Sequence, residues 1–162
     1  MWGRKTKVMV AAGEQAPQFQ LTSVQGGHRS LEEILNKGPA LLVFYKVSCP
    51  VCQLTAPYVE RLGASQSMQV VPISQDDAKA TEGFSRHFGV TLPTLLDQAN
   101  EGYPASNAYG ISSVPSLFLV EQDGHIAKSF SGFSKRDLEE VGARAGITPF
   151  GPDDHVPEWK AG

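Results

Sequence analysis

Cys49 and Cys52 are the only cysteines in the 162-residue chain, and Pro50 and Val51 alone separate them. An apolar run, Ala40-Leu41-Leu42-Val43-Phe44-Tyr45, leads into the pair, and an amphipathic helical pattern leads out of it. At a strand-to-helix junction of this kind, one thiolate can attack a disulfide while its neighbour resolves the product. Cys49 is expected at the helix N-terminus, where unpaired backbone N–H groups and the helix dipole favour a negative sulfur. Pro50 suits the first helical position, where a missing N–H costs nothing. Cys52 falls almost one turn further and deeper, so Cys49 attacks and Cys52 resolves. No separate cofactor is implied, because the redox group is the Cys49–Cys52 disulfide itself. A static staple is the bland alternative, but a two-residue gap closes almost no loop and gains little stability. A metal site would need two further ligands, and none of His28, His87, His125 or His155 is paired with another at ligand spacing.

Composition narrows the class. Hydrophobic content of 41% with 19% charged residues suits a globular domain. A net charge of −3 gives no general reason to bind nucleic acid or anionic lipid. No apolar run approaches the ~18 residues of a membrane span. Met1 to Lys7 is basic like the start of an export signal, but the apolar stretch after it, Val8 to Ala12, falls short of the ~7–15 residues required. The chain is therefore expected to be cytoplasmic, with an extracytoplasmic site if a leader has been trimmed.

The elements that must hold the pair follow from periodicity and punctuation. Gln18 to Thr22 reads as a short strand, and Gln25-Gly26-Gly27-His28 as a turn. Ser30 and Glu33 form a capping box for a helix that buries Leu31, Ile34 and Leu35. Ala40 to Val47 is near-continuously apolar, as a strand covered on both faces requires. The helix after Cys49 carries Val51, Leu54, Tyr58 and Leu62 on one face, with Pro57 inside it. Met68 to Ser74 is a strand, and Asp76-Asp77 open a helix that Gly89 closes. Thr94 to Asp97 is a short strand, and Tyr103 to Tyr109 a helical segment. Ser116 to Val120 and Ile126 to Phe130 form a hairpin about Asp123-Gly124. Ser134 caps a last helix with Leu138, Val141 and Ala145 inward, and a proline-rich, non-helical tail follows Gly146. The pattern predicts an α/β domain over residues 13–147. Its mixed sheet is parallel at the helical crossovers and antiparallel at the hairpin. Residues 1–12 are an N-terminal extension, and residues 148–162 the tail. The tail is expected to cover the domain's own surface or to stay disordered, with docking on a partner as the alternative.

Several segments, in order, resemble a known superfamily. Val43-Phe44-Tyr45, Cys49 to Cys52 and Ala56-Pro57 are similar to the thioredoxin active-site strand and its helix. Tyr109 to Leu119 resembles the segment that holds the cis-proline, here Val114-Pro115. Asp123-Gly124 and Ser131 to Lys135 resemble the closing hairpin. Gly13 to Phe19 and Phe88 to Asp97 are similar to the redoxin branch, which includes TlpA-like thiol–disulfide oxidoreductases and the alkyl hydroperoxide reductase/thiol-specific antioxidant family. The resemblance implies a thioredoxin fold with an N-terminal hairpin and a central insertion. It makes Pro115 a cis-proline facing Cys49, with the Val114 backbone placed to pair with a bound peptide. A valine before a strand-opening proline is otherwise ordinary.

The departures bear on mechanism. Val43 stands where thioredoxins usually carry a buried aspartate, and Ser48 where a tryptophan is common. Lys46 could favour a negative Cys49 if it pointed inward; otherwise it is an exposed lysine at a strand end. The resemblance and the residues together imply a thiol–disulfide oxidoreductase. Its partners would be a protein disulfide and a thiol reductase or other redox protein that resets the pair. A peroxidase is the second reading. Peroxiredoxins, however, place a threonine or serine three residues before the reactive cysteine and a proline four further upstream. This chain has Lys46 and Leu42 there. A partner-binding module without catalysis is the third.

Overall fold

The computed structural model describes residues 8–162; the basic segment Met1 to Lys7 lies outside them. The fold is organised about the strand Ala40–Tyr45, in which all six residues are buried. Leu42 and Phe44 enter one hydrophobic cluster with Leu31, Ile34, Tyr109 and Phe118. Leu41 and Val43 enter another with Tyr58, Leu62, Phe133 and Leu138. Period-two alternation thus feeds two cores, which is why the run is apolar throughout.

In chain order the strands are β1 (Gln20–Ser23), β2 (His28–Ser30), β3 (Ala40–Tyr45), β4 (Gln69–Ser74), β5 (Leu95–Leu96), β6 (Ser116–Val120), β7 (Ile126–Ser131), β8 (Phe133–Ser134) and β9 (Trp159–Lys160). The helices are α1 (Leu31–Asn36), α2 (Pro50–Leu62), α3 (Ala78–Phe88), α4 (Pro104–Ala108) and α5 (Lys135–Ala145), with a 3₁₀ turn at Ala99–Glu101. The seven-stranded sheet runs β2-β1-β5-β4-β3-β6-β7. β3, β4 and β5 are parallel, joined through α2 and α3. β1 pairs antiparallel with β2 and β5, β3 with β6, and β6 with β7. This is the expected mixed α/β sheet with its N-terminal hairpin, β1–β2.

The caps form where the side-chain chemistry requires. Ser30 Oγ accepts from Glu33 N at 3.1 Å, Asp77 Oδ1 from Ala80 N at 2.8 Å and Ser134 Oγ from Asp137 N at 3.2 Å. β3 ends at Tyr45 rather than Val47, because Lys46 to Ser48 turn the chain toward Cys49. Fully buried Asp97 fixes α4 from outside: its carboxylate accepts from Ala105 N at 2.9 Å, Ser106 N at 2.7 Å and Ser106 Oγ at 2.5 Å.

The tail is non-helical and folds back over α2 and α5. Phe150 packs on Tyr58, with ring centroids 4.6 Å apart, and on Phe133 at 5.9 Å. Arg61 Nη1 donates to Pro149 O at 2.8 Å and to Asp154 Oδ2 at 2.7 Å. Lys135 N donates to Glu158 O at 2.9 Å, and β9 then pairs antiparallel with β8.

Two outcomes follow from these contacts. Asp97→Ala leaves three buried donors at α4 without their acceptor and should cost about 3 kcal/mol in urea unfolding. The Arg61 guanidinium, aided by the Gly151 N–H, holds the Asp154 carboxyl down at about 2, against ~3.9 for an unfolded chain. A depressed folded pKa stabilises above the unfolded value, and that contribution is lost as pH falls through the folded one. The melting-temperature gap between the native chain and Asp154→Asn should therefore be full at neutral pH, narrow below about pH 4 and close near pH 2.

Candidate active site

Three residues carry the chain from β3 to Cys49, and two side chains brace them. Val47 N donates to Asp76 Oδ2 at 2.8 Å, and Gln53 Nε2 donates to Val47 O at 3.0 Å. In the sequence Asp76 reads only as part of a helix start with Asp77, and Gln53 carries no signal; only the fold brings them to this turn. Cys49 N donates to Lys46 O at 3.2 Å, and the chain enters α2 with Cys49 as N-cap and Pro50 in the first turn.

Cys49 Sγ sits between two backbone groups. It accepts from Cys52 N at 3.1 Å, and its thiol donates to Val114 O at 3.4 Å. The first contact is one a thiolate also makes, and the second one only a thiol makes. Cys49 is half-buried, whereas Cys52 is 3% exposed; both are free thiols. Burial pushes the Cys52 thiol far up, and the neighbouring Cys49 sulfur adds to the effect. Cys52 therefore keeps its proton until the reaction supplies a base.

The remaining residues singled out in the sequence surround this pair. Pro50 is exposed and Val51 buried. The Val114–Pro115 peptide is cis, and Val114 is half-buried. Val43, 4% exposed, lines a small apolar pocket with Tyr45, Cys52, Phe84 and Pro115, so the wall behind Cys52 offers hydrocarbon. In that wall the Tyr45 hydroxyl makes no well-formed hydrogen bond among the described residues, and burial, partly offset by the nearby Ser74, Thr94 and Ser85 hydroxyls, pushes its pKa up to about 12. Of those hydroxyls, Ser74 pairs with Thr81 at 2.7 Å, and Thr94 donates to Leu92 O at 3.0 Å. Lys46 is exposed at the end of β3. It lines a separate polar cleft with Gln75, Tyr103, Ser113 and Val114. Asp97 sets one wall of this cleft through Ser106, whose Oγ also accepts from Gln75 Nε2 at 3.0 Å. Among the described residues, no cluster of three or more His, Cys, Asp or Glu side chains is placed to hold a metal ion.

Comparison with known proteins fits this geometry. The AhpC/TSA family model matches residues 12–129, and the chain belongs to that family. Thiol-disulfide oxidoreductase ResA of Geobacillus thermodenitrificans is 29% identical over 139 residues, spanning 83% of this chain and 78% of the relative. ResA of Bacillus subtilis is 28% identical over 130 residues, spanning 78% and 70%. Among solved structures, the thioredoxin domain of thiol-disulfide oxidoreductase BVU-2223 from Bacteroides vulgatus superposes with a TM-score of 0.73 at 19% identity, covering 83% of this chain and 97% of that one. Peroxidoxin BcpB from Mycobacterium tuberculosis reaches 0.67 at 22% identity, covering 88% and 97%. Both likenesses establish the thioredoxin fold, and a fold shared by an exchanger and a peroxidoxin leaves the chemistry to the site.

The unequal exposure of the two sulfurs has a direct chemical readout. Brief treatment of the reduced native protein with iodoacetamide near pH 7.5 should alkylate Cys49 and spare Cys52, as peptide mass mapping would show. Equal labelling would contradict the buried, protonated state of Cys52.

Proposed function

We propose that this chain is a thiol–disulfide oxidoreductase whose redox group is the Cys49–Cys52 pair and whose substrate is a disulfide in another protein. The observation that carries the reading is the asymmetry of the pair: Cys49 is partly exposed at a helix N-terminus against the Val114 carbonyl, and Cys52 is buried one turn behind it. The Cys49 thiolate attacks one sulfur of the substrate disulfide; the second leaves as a thiolate, and a mixed disulfide forms. Cys52 then attacks Cys49 Sγ, its proton passing to the departing substrate sulfur. The first substrate thiolate takes a proton from solvent, equal to the one Cys49 released on ionising, so the substrate leaves as a dithiol and the enzyme is left with the Cys49–Cys52 disulfide. Two electrons have passed from the pair to the substrate, and a thiol reductase or other redox protein returns them. Run backwards, the same steps oxidise a dithiol. The wall at Val43 is hydrocarbon, and the Asp76 carboxylate acts on Cys52 through its charge while accepting from Val47 N, so in this reading the leaving sulfur serves as the base. Lys46 stands in this reading as a residue of the rim, and cytoplasmic placement as the accompanying proposal, checked by fractionating cells that express the chain.

Insulin reduction in dithiothreitol, run beside a peroxide-consumption assay, tests the reading. Cys49→Ser should fall to the uncatalysed background. Cys52→Ser should lose turnover but accumulate a mixed disulfide visible by mass. Rapid peroxide consumption without insulin reduction would favour the peroxidase reading instead.

A further inference from the structure

The tail does more than cover α2. Its root and its tip are held in different ways. The root, residues 149–156, is anchored: Phe150 packs against both Tyr58 and Phe133, the Arg61–Asp154 pair clamps it at 2.7 Å, and Val156 packs on the same cluster. The tip after Pro157 buries no side chain; Trp159 is 62% exposed, and the segment rests on the two-residue ladder with Phe133–Ser134, the Lys135 N to Glu158 O bond at 2.9 Å and the Lys135–Glu158 ion pair at 3.8 Å.

This weakly held tip lies on the cysteine site. Lys160 and Ala161 cross Gly132 so closely that a Cβ there would fall 2.6 Å from the Lys160 carbonyl oxygen. Gly132 also has a φ of 77°, and both features suit glycine. Gly162 then rests against Val114–Pro115. A Cβ on Gly162 would fall 2.0 Å from the Val114 carbonyl oxygen and 3.3 Å from Pro115 Cδ. That carbonyl is the one to which the Cys49 thiol donates at 3.4 Å.

We propose that residues 158–162 occupy, within the molecule, the docking line of the extended substrate segment that carries the disulfide, and are displaced when that segment binds. The line runs along the β8 edge, over Gly132 and onto Val114. A substrate segment that pairs with the Val114 carbonyl on its way to Cys49 meets the place where Gly162 now rests. An extended backbone can use the same edge hydrogen bonds as β9, which is strand addition with the position already filled. The binding-competent state is the one with the tip released, and the apparent affinity for substrate is reduced by the fraction of molecules in that state. A small disulfide needs only the exposed face of the Cys49 sulfur and escapes this competition. The proposal rests on the oxidoreductase reading.

The experiment compares the full chain, a chain ending at Pro157 and the variant Gly162→Val, whose side chain cannot fit against Val114. Each is assayed with insulin and with dithiobis-nitrobenzoate, a small aromatic disulfide. Deletion should raise the second-order rate with insulin about threefold to tenfold, as expected if the tip is docked in most molecules, and leave the small disulfide within about twofold. Gly162→Val should move in the same direction. A peptide of sequence Pro-Glu-Trp-Lys-Ala-Gly, added to the shortened chain, should slow insulin reduction again. Unchanged insulin rates, or equal acceleration of both disulfides, would overturn the docking proposal while leaving the oxidoreductase reading intact. Chains that reduce neither disulfide would sink that reading and the docking line with it.

Discussion

A strand buried on both faces requires cover on both faces, and this constraint at β3 governs the molecule. Ala40–Tyr45 has no exposed residue, so α2, β8 and α5 lie on one side while α1, Tyr109 and the N-terminal segment lie on the other. Parallel pairing with β4 then demands a crossover, and α2 supplies it. The reactive pair stands where β3 ends and α2 begins. A cysteine there inherits the open N-terminal turn of a helix whose body is locked into the core through Tyr58, Val59 and Leu62.

The antiparallel partner of β3 completes the site. β6 lies beside β3 in a register that pairs Phe44 with Ser116, so the residues just before β6 arrive beside those just after β3. Val114 meets Cys49 because two adjacent strands end at the same edge of the sheet. No attraction between the two residues is needed to explain the meeting. The 3.4 Å contact is a consequence of register, and register is set by burial on both faces.

The site combines a polar entrance with an apolar interior. Cys49 looks toward backbone amide and carbonyl groups, while Cys52 faces Val43, Tyr45 and Phe84. Hydrocarbon around the second sulfur keeps it protonated and makes it slow to act until a mixed disulfide brings a leaving group close. The tail adds a second layer to the entrance. Its aromatic and ionic root is fixed to α2, and its tip pairs with β8 and ends against Val114, whose carbonyl accepts from the Cys49 thiol.

Features that obey local rules are legible along the chain. Ser30, Asp77 and Ser134 announce helix starts because a short polar side chain satisfies an N–H three residues on. The unbroken apolar run at β3 announces two-sided burial, and Cys49-Pro50-Val51-Cys52 announces the chemistry because spacing and position suffice. The cis peptide at Val114-Pro115 was legible through family resemblance, since proline before a strand is ordinary in itself. The tertiary structure alone decided what depends on distant pairings. Asp76 and Gln53 brace the turn before Cys49, Asp97 pins α4 from eight residues away, and Tyr45 is buried with a hydroxyl that finds no well-formed hydrogen bond among the described residues. β9 was invisible because a two-residue strand has no pattern of its own; its partner β8 lies about 25 residues earlier, and only the return of the chain over Phe150 brings them together. Local preferences reach one helical turn, whereas the placement of residues 158–162 on the cysteine site depends on the whole packed domain beneath them.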